Sequence, residues 1–243
     1  MRTMRRALVS GGTKGLGLAI ARALAAAGDE VIALYASDDD AARAAEASLV
    51  AEGLRYRAAR VDVNDRAAVD AFFATVPEIG FDVFVHAAGF TRDKLMLWMD
   101  ERDFDDVIGV HLKGGFLLAK QALKHMIANR RGRIVFIVSP TAQLGRIGQT
   151  NYGAAKAGLI GLTRSLAREV ARFRITVNCV CAGFVETAMT ASLPEKARAE
   201  LLAAIPLGRA GRAEEIAAAT EWLCSDGAGY ITGTVLGVDG GLT

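Results

Sequence analysis

The sequence of 243 residues predicts an α/β fold with a doubly wound, mainly parallel sheet of seven strands and helices on both faces. Apolar runs alternate regularly with helical patterns. A glycine-rich turn joins the first apolar run to the first helix. The composition is 52% hydrophobic but only 7% aromatic, and such aliphatic content suits parallel strands that are covered on both faces.

The strands are predicted where short apolar runs occur, because strands buried on both faces show little polar alternation. These runs lie near residues 6–10, 30–35, 55–61, 81–86, 132–138, 174–180 and 234–238. The helices are predicted between them, near residues 15–27, 39–52, 65–76, 100–128, 151–172 and 213–224. Right-handed crossovers then place all strand carboxyl ends along one edge of the sheet.

Local signals support these elements in chain order. The glycine turn ends the first strand, and Asp38-Asp39-Asp40 can supply negative charge to the N-terminus of the second helix. Residues 41–51 are alanine-rich, as in an exposed or half-exposed helix. Pro140 and Gly145 indicate a loop between the fifth strand and the helix that follows it.

No Pro/Ser-rich linker or charge run divides the chain, so residues 1–243 are predicted to form a single dinucleotide-binding and catalytic domain. The segment from about 186 to 212 interrupts the strand and helix alternation. It is expected to be either a substrate lid or an amphipathic helix packed on the core.

The glycine-rich turn reads Ser10-Gly11-Gly12-Thr13-Lys14-Gly15-Leu16-Gly17. Glycines permit a tight turn and a close backbone approach, while the helix N-terminus offers unpaired N–H groups to a pyrophosphate. The spacing differs from G-x-G-x-x-G, and a bare glycine cluster also occurs in ordinary loops. Its position between a strand and a helix favours a Rossmann-type nucleotide site.

Further motifs stand at the carboxyl ends of predicted strands, the edge at which open parallel sheets bind ligands. These are Asp62-Val63, His86-Ala87-Ala88-Gly89 and Ser139. Ser139 lies thirteen positions before Tyr152, and the intervening loop can bring its hydroxyl beside the phenol.

Tyr152 and Lys156 stand one helical turn apart at the start of a predicted helix. The ammonium of Lys156 is expected to favour the ionised phenol and lower the pKa of Tyr152 from its reference of about 10. A phenol tuned in this way can protonate an alkoxide near neutral pH. A surface Tyr/Lys pair at this spacing usually has no such role, so the pair gains meaning from the other motifs.

Taken in order, these motifs resemble those of the single-domain short-chain dehydrogenase/reductase family, and within it most closely the 3-oxoacyl-[acyl carrier protein] reductases. The resemblance extends from Leu8 to Gly241 and includes Ile175-Thr176-Val177-Asn178 and Val238-Asp239-Gly240-Gly241. It implies NADPH-dependent reduction of a 3-oxoacyl thioester in fatty-acid or specialised acyl or polyketide-like synthesis. Reduction of another small carbonyl, or oxidation of an alcohol, remains open, as does a noncatalytic nucleotide-binding partner protein.

The resemblance assigns catalytic roles to Ser139, Tyr152 and Lys156. Ser139 would hydrogen-bond the ketone oxygen, Tyr152 would donate the proton, and Lys156 would hold the nicotinamide ribose. The family has an asparagine in a proton relay where this chain has His111. Imidazole both donates and accepts hydrogen bonds and titrates near pH 6.5, so His111 would either extend that relay or disturb it.

The implied cofactor site combines the glycine turn with residues at the strand ends. Its expected members are Gly11, Thr13, Lys14, Gly15, Leu16, Gly17, Tyr35, Ser37, Asp62, Val63, Ala88, Gly89, Tyr152, Lys156, Gly183, Val185 and Thr187. NADPH is favoured because neutral Tyr35 stands where an NAD site normally carries a carboxylate. By family analogy Lys14 would attract the 2′-phosphate, and Ser37 would add a hydrogen-bond donor. The negative charges of Asp38-Asp39-Asp40 count against NADPH, because carboxylates repel a phosphate.

The formal net charge of +2 is spread along the chain, so nucleic-acid binding has little support. An acyl carrier protein is acidic, and Arg130, Arg131, Arg172 and Arg174 match the region where the resembling reductases carry docking arginines. Ordinary solvated helix-end cations are an equal alternative. The resemblance also implies a homotetramer, with dimer contacts through the predicted helices near 100–128 and 151–172.

No apolar run approaches the about 20 residues that span a bilayer, so no membrane contact is expected. Arg5 and Arg6 precede too short an apolar run for a signal peptide and are expected to be solvated. Three cysteines without metal-ligand spacing indicate reduced thiols, a cytoplasmic location and no metal site. The Cys179/Cys181 pair is expected to share one buried strand face.

Overall fold

The computed structural model describes residues 4–77, 80–186 and 195–243. Within these ranges, seven strands pair in parallel into one sheet of order β3-β2-β1-β4-β5-β6-β7, which confirms the predicted Rossmann-type fold. The strands are β1 (Arg6–Ser10), β2 (Glu30–Tyr35), β3 (Tyr56–Arg60), β4 (Val83–His86), β5 (Gly132–Val138), β6 (Ile175–Ala182) and β7 (Val235–Val238). Their ends differ from the predicted ones by a residue or two at most.

Helices cover both faces of the sheet. They are α1 (Gly15–Ala26), α2 (Asp39–Ala51), α3 (Arg66–Ala74), α4 (Glu101–Ile108), α5 (Gly114–Ala128), α6 (Thr141–Leu144), α7 (Thr150–Val170), α8 (Glu195–Ala204) and α9 (Ala213–Cys224). The sequence patterns did not predict the short α6. None of the helices in the described ranges is long and apolar enough to cross a membrane.

The single helix predicted near 100–128 is interrupted by a π-helical turn, Gly109–Lys113, between α4 and α5. The Nε2 atom of His86 donates a hydrogen bond to the carbonyl oxygen of His111 in this turn, at 2.9 Å. A side chain that binds a helix carbonyl competes with the helical hydrogen-bond ladder and favours a wider turn. Helical periodicity could not predict the interruption, because the competing imidazole comes from β4.

Alternate strand residues point to opposite faces and build two apolar layers. Leu8, Ile32 and Phe84 pack on one face against Leu118 of α5 and Leu159 of α7. The residues between them in the strands pack on the other face against α1, α2 and α9. Burial on both faces explains why the strands appear in the sequence as almost continuous apolar runs.

The cysteines behave as core residues. Cys179 and Cys181 lie in β6 and join the same apolar layer, as their spacing predicts, while Cys224 packs on the opposite face. All three are buried free thiols. Burial raises the pKa of Cys179 to about 11 and that of Cys181 and Cys224 to about 12, so the thiols stay protonated at neutral pH.

The segment predicted as a lid or a packed helix is described at Glu186 and from 195 to 212. It contains α8, and Ile205 after that helix is buried. Arg198 of α8 forms an ion pair with Glu186 at 2.7 Å. Residues 187–194 of the predicted lid segment lie outside the described part of the chain.

Arg5 and Arg6 are buried, so the expectation that they are solvated is wrong. The guanidinium of Arg5 donates to both carboxylate oxygens of Asp29, at 2.8 and 2.7 Å, and to the carbonyl of Cys224 at 2.5 Å. Its partners stand 24 and 219 positions away, which is why the local sequence gives no sign of them. The contacts tie the start of β1 to the α1–β2 turn and to α9.

Replacing Asp29 with Ala should leave the buried guanidinium of Arg5 without its counter-ion. We expect a loss of about 3–5 kcal/mol in the free energy of unfolding, measured by urea denaturation. Glu52→Ala is the matched control, because Glu52 pairs with Arg22 on the surface at 2.6 Å, and it should cost less than about 1 kcal/mol. Equal losses in the two variants would contradict the structural role of the buried pair.

Candidate active site

A cleft of about 1070 Å³ opens at the carboxyl edge of the sheet. It lies where the strand order reverses between β1 and β4, the switch point at which doubly wound sheets bind ligands. Among the described residues, all predicted cofactor and catalytic residues line it: Gly11, Thr13, Lys14, Gly15, Leu16, Gly17, Tyr35, Ser37, Asp62, Val63, Ala88, Gly89, His111, Ser139, Tyr152, Lys156, Gly183 and Val185. Thr187 lies outside the described residues.

The glycine turn forms a backbone cradle at the start of α1. Gly11 has φ +69°, which disfavours any side chain, and a Cβ atom there would stand 2.7 Å from the Cα of Ala88. The N-terminus of α1 faces the cleft through Gly15 and Leu16. This shape fits the pyrophosphate of a dinucleotide, because it brings unpaired backbone N–H groups and a partial positive charge close to the ligand.

Charged side chains surround the carboxyl end of β2. The Nζ of Lys14 pairs with Asp38 at 3.2 Å, and Asp38 also caps α2 by accepting a hydrogen bond from the backbone N–H of Ala41 at 3.1 Å. A hydrogen bond to Asp39 raises the pKa of Tyr35. The predicted N-terminal role of this aspartate run is therefore confirmed, and Lys14 and Asp38 face each other at the rim of the cleft.

Ser139, Tyr152 and Lys156 meet where β5 and α7 approach each other. Ser139 follows β5, and its hydroxyl is close enough to the Tyr152 phenol to lower the pKa of that phenol. Lys156 is buried and donates from Nζ to the carbonyl oxygen of Ile137 at 2.7 Å. The same Nζ lies 5.5 Å from the centroid of the Tyr152 ring.

The prediction that Lys156 lowers the pKa of Tyr152 is wrong for this arrangement. Burial raises the pKa of Tyr152 to about 12, against a lowering contribution from the hydrogen bond with Ser139. Burial lowers the pKa of Lys156 to about 8. Both groups lose hydration in the same pocket, and each is driven towards its neutral form. The i,i+4 spacing could reveal their proximity but not this desolvation.

His111 lies beside the phenol, with ring centroids 5.1 Å apart in an edge-to-face arrangement. Its Nε2 atom lies 2.8 Å from the carbonyl oxygen and 3.2 Å from the amide nitrogen of Phe90, and its buried Nδ1 atom has no hydrogen-bond partner among the residues that the structure describes. Burial, with a further contribution from Lys156, holds its pKa well below the ordinary value. The expectation that His111 titrates near pH 6.5 is therefore wrong.

His86 connects the glycine turn to the π-helical turn. Its Nε2 atom donates to the carbonyl of His111, so Nδ1 of the neutral ring accepts from the Ser10 hydroxyl at 2.7 Å. The Ser10 oxygen in turn accepts from the N–H of Ala88 at 3.3 Å. Burial lowers the pKa of His86 to about 3, which keeps this ring neutral.

Three further polar residues beside Ser139 were missed by the sequence analysis. The hydroxyl of Thr141 lies 3.4 Å from that of Ser139 and 3.2 Å from Oε1 of Gln149. Nε2 of Gln149 lies 2.8 Å from the carboxylate of Asp93. For Thr141 and Gln149, closeness to Ser139 and Tyr152 in the sequence was the available signal. Asp93 lies 56 positions before Gln149, and no spacing rule links an aspartate to the site over that distance.

The predicted docking arginines lie at the other edge of the sheet. Arg130 and Arg131 precede β5, and Arg172 and Arg174 precede β6. The guanidiniums of Arg130 and Arg172 lie 6.0 and 4.8 Å from the centroid of the Phe173 ring, and Arg130 also donates to the Arg172 carbonyl at 3.1 Å. Because the cleft lies at the strand carboxyl ends, these arginines do not line it.

Known proteins resemble the chain over nearly its whole length. A family model described as enoyl-(acyl carrier protein) reductase matches residues 11–243. The 3-oxoacyl-[acyl-carrier-protein] reductase FabG of Escherichia coli (strain K12) is 44% identical over 238 residues, which cover 97% of this chain and 96% of the relative. The proteins of the same name from Pseudomonas aeruginosa and Aquifex aeolicus are 44% and 42% identical, with the same coverage.

The range matched by the family model, residues 11–243, contains Gly11 to Gly17 of the glycine turn, the strand-end motifs and the Tyr152/Lys156 pair. Identities of 42–44% over 97% of the chain are too extensive to reflect a shared fold alone. The chain belongs to the short-chain dehydrogenase/reductase family.

Proposed function

We propose that the protein is an NADPH-dependent oxidoreductase that reduces a 3-oxoacyl thioester on acyl carrier protein to the 3-hydroxyacyl thioester, in fatty-acid or specialised acyl or polyketide-like synthesis. The observation that carries the proposal is that Ser139, Tyr152 and buried Lys156 line the same cleft, with the Lys156 ammonium 5.5 Å from the Tyr152 ring. The printed names of the relatives support the substrate class.

Ser139 and Tyr152 offer two hydroxyl donors to the ketone oxygen and stabilise the negative charge that develops there. Bound NADPH supplies the hydride for the ketone carbon. With a pKa of about 12, the Tyr152 phenol is protonated at neutral pH and can pass its proton to the new alkoxide. Lys156, whose pKa is about 8, is mostly charged at neutral pH and stabilises the phenolate that remains.

The reacting group is proposed to be a carbonyl rather than a carbon–carbon double bond. The matching family is described by enoyl reduction, whereas the relatives are named for 3-oxoacyl reduction. Two adjacent hydroxyls suit an oxygen attached to the reacting carbon, where charge appears as hydride arrives. An enoyl thioester has no oxygen on the carbon that takes the hydride, and its negative charge develops as an enolate on the more distant thioester oxygen.

Replacing Tyr152 with Phe keeps the ring but removes the proton donor. We expect kcat for an acetoacetyl thioester on acyl carrier protein to fall by at least about 100-fold, while the Kd for NADPH, followed by cofactor fluorescence, stays nearly constant. Tyr230→Phe is the matched control, because Tyr230 is fully exposed, and it should change neither quantity. A Tyr152→Phe variant that keeps most of the wild-type rate would contradict the proposed acid.

The preference for NADPH is proposed from the side chains at the end of β2. Lys14 lies at the cleft rim and can turn from Asp38 to a 2′-phosphate, Ser37 lines the same cleft, and Tyr35 adds no negative charge there. Asp38 competes with the phosphate for the same ammonium. The balance between them would set how strongly NADPH is preferred over NADH.

Replacing Lys14 with Ala should weaken NADPH binding by about 10-fold or more, the size of one charge-assisted contact, with little effect on NADH. Asp38→Asn keeps an oxygen to cap α2 but releases Lys14, so it should tighten NADPH binding. Both Kd values are measured by fluorescence titration, with Arg22→Ala on α1 as the control cation. A ratio of the NADPH and NADH Kd values that is the same in both variants as in the wild type would contradict this role of Lys14.

We propose that the carrier protein docks on four arginines that lie far from the cleft of the same chain. These are Arg130, Arg131, Arg172 and Arg174. These residues stand at the amino end of β5 and β6, and the seven residues of β5 span about 23 Å between that edge and the cleft. A carrier protein bound there would deliver its acyl group more readily to the cleft of another copy of the chain than to the cleft of the copy that binds it. The homotetramer implied by the resemblance would supply such copies.

Replacing Arg130 with Glu should raise KM for the carrier-linked substrate about 10-fold, because an attraction to an acidic partner becomes a repulsion. The KM for the same acyl group on a small pantetheine thioester should not change. Arg66→Glu is the control, because the Arg66 side chain is exposed at the start of α3, and high salt should reduce the difference in KM. An equal KM for wild type and Arg130→Glu with the carrier-linked substrate would rule out docking at this residue.

Three other expectations remain proposals with support in the structure. Leu201 of α8 lines the cleft, which supports a lid within residues 186–212. The Nδ1 atom of His111, which has no partner within the described ranges, is the atom through which that residue would join a proton relay. Buried free thiols are compatible with a cytoplasmic location.

A further inference from the structure

The hydroxyl group of Tyr56 reaches the glycine turn from another part of the sheet. It donates a hydrogen bond to the carbonyl oxygen of Gly12 at 3.0 Å, between residues 44 positions apart. Tyr56 is the first residue of β3, and β2 lies between that strand and β1, which leads into the turn. The Tyr56 side chain is buried in the apolar layer that also contains Ala33 of β2. A core residue thus contacts the backbone of the turn that is proposed to hold the cofactor.

The direction and the persistence of this hydrogen bond follow from its two groups. A carbonyl oxygen only accepts hydrogen bonds, so the phenol of Tyr56 is the donor. Burial raises the pKa of Tyr56, which keeps the phenol protonated at neutral and moderately alkaline pH. The contact is therefore present over the pH range in which cofactor binding is measured.

The backbone around the Gly12 carbonyl needs such a support. Gly11 and Gly12 are adjacent, and neither has a Cβ atom that would limit rotation of the peptide planes. Their N–H groups share one acceptor, the carbonyl oxygen of Leu34, at 2.8 and 3.3 Å. These two bonds hold the peptide planes that precede Gly11 and Gly12, whereas Tyr56 holds the plane that follows Gly12.

The peptide plane after Gly12 also carries the N–H group of Thr13. The C=O and N–H groups of a trans peptide point in opposite directions, and the described part of the chain has no cis peptide. A Cβ atom added to Gly12 would stand 2.9 Å from the Cβ of Ala33 in the core, while Thr13 lines the cleft. A Gly12 carbonyl that points to Tyr56 therefore directs the Thr13 N–H towards the cleft.

The N–H group of Thr13 has no hydrogen-bond partner among the residues that the structure describes, although Thr13 is only 3% exposed. Buried backbone N–H groups without a partner are rare in folded proteins, because nothing replaces the hydration that they lose. A donor left free in the wall of a cleft is available to a ligand. The acceptor that it fits is a phosphate or hydroxyl oxygen, and a dinucleotide carries both.

We propose that Tyr56 is a positioning residue for the cofactor, which holds the Gly12 carbonyl in the core so that the Thr13 N–H donates to an oxygen of the bound dinucleotide. The inference rests on the proposed use of a nicotinamide cofactor. The accepting oxygen belongs either to the 2′-phosphate, which NADPH alone carries, or to a ribose or phosphate group that NADPH and NADH share. Tyr56 itself does not line the cleft, so it acts through the backbone of the turn.

The experiment compares the Kd values of NADPH and NADH in the wild type and in Tyr56→Phe, measured by cofactor fluorescence without a carbonyl substrate. Tyr56→Phe keeps the ring in the core and removes only the hydroxyl. Thr220→Val is the matched control, because the buried Thr220 hydroxyl donates to the Ile216 carbonyl at 2.8 Å within α9, and Thr220 does not line the cleft. Urea denaturation gives the free energy of unfolding of each protein.

Without the hydroxyl, the peptide plane after Gly12 can turn, and the Thr13 N–H is no longer held towards the ligand. We expect the Kd of NADPH to rise about three- to ten-fold, the size of one hydrogen bond. A rise for NADPH alone would identify the 2′-phosphate as the acceptor, and an equal rise for both cofactors would identify a shared group. Thr220→Val should lower the free energy of unfolding by a similar amount but change neither Kd. A merely structural role for Tyr56 would give the same result as Thr220→Val.

Kd values of both cofactors in folded Tyr56→Phe that equal those of the wild type would overturn the proposal. If Tyr56→Phe does not fold, Tyr56→Met removes the same hydroxyl, and its Kd values decide in the same way. A wild-type protein that binds neither cofactor would overturn both this inference and the proposed function. A wild-type protein that binds NADPH but does not reduce 3-oxoacyl thioesters would count against the proposed function alone, because the Kd measurement needs no turnover.

Discussion

Parallel pairing of all seven described strands is the constraint on which the site depends. It brings the carboxyl ends of β1, β2, β4 and β5 to one edge, although the residues after them are far apart in sequence. The glycine turn, Ala88-Gly89 and Ser139 thereby line one cleft. The strands can pair in this way because their side chains form two apolar layers, one under each set of helices.

Burial has a larger effect on the pKa values of Tyr152 and Lys156 than the nearness of the two groups to each other. Tyr152 and Lys156 lie close enough to interact, yet loss of water drives the pKa of the phenol up and that of the ammonium down. A protonated phenol suits a reductase, since it must give up a proton. His86 and His111 are likewise neutral, and a hydrogen bond from the first to the carbonyl of the second links them. His86 and His111 are thus structurally coupled.

Features with local causes could be predicted from the sequence. The apolar runs located the strands, and the glycine turn and the Tyr152/Lys156 spacing located the cleft. Features with distant partners could not be predicted. The pairing of Arg5 with Asp29, the π-helical turn stabilised by His86 and the hydrogen bond of Gln149 with Asp93 all need contacts between separate segments. The predicted lowering of the Tyr152 pKa was wrong for the same reason, because desolvation depends on all the residues that surround the phenol.

The most direct test of the account is intact-mass analysis of acyl carrier protein after incubation with the wild-type protein and NADPH. One sample carries a 3-oxoacyl group and a matched sample carries the 2-enoyl group of the same length. The account predicts that the 3-oxoacyl carrier gains two hydrogen atoms for each NADPH consumed, while the enoyl carrier does not change. Reduction of the enoyl carrier alone, or of neither carrier by a folded protein that binds NADPH, would contradict it.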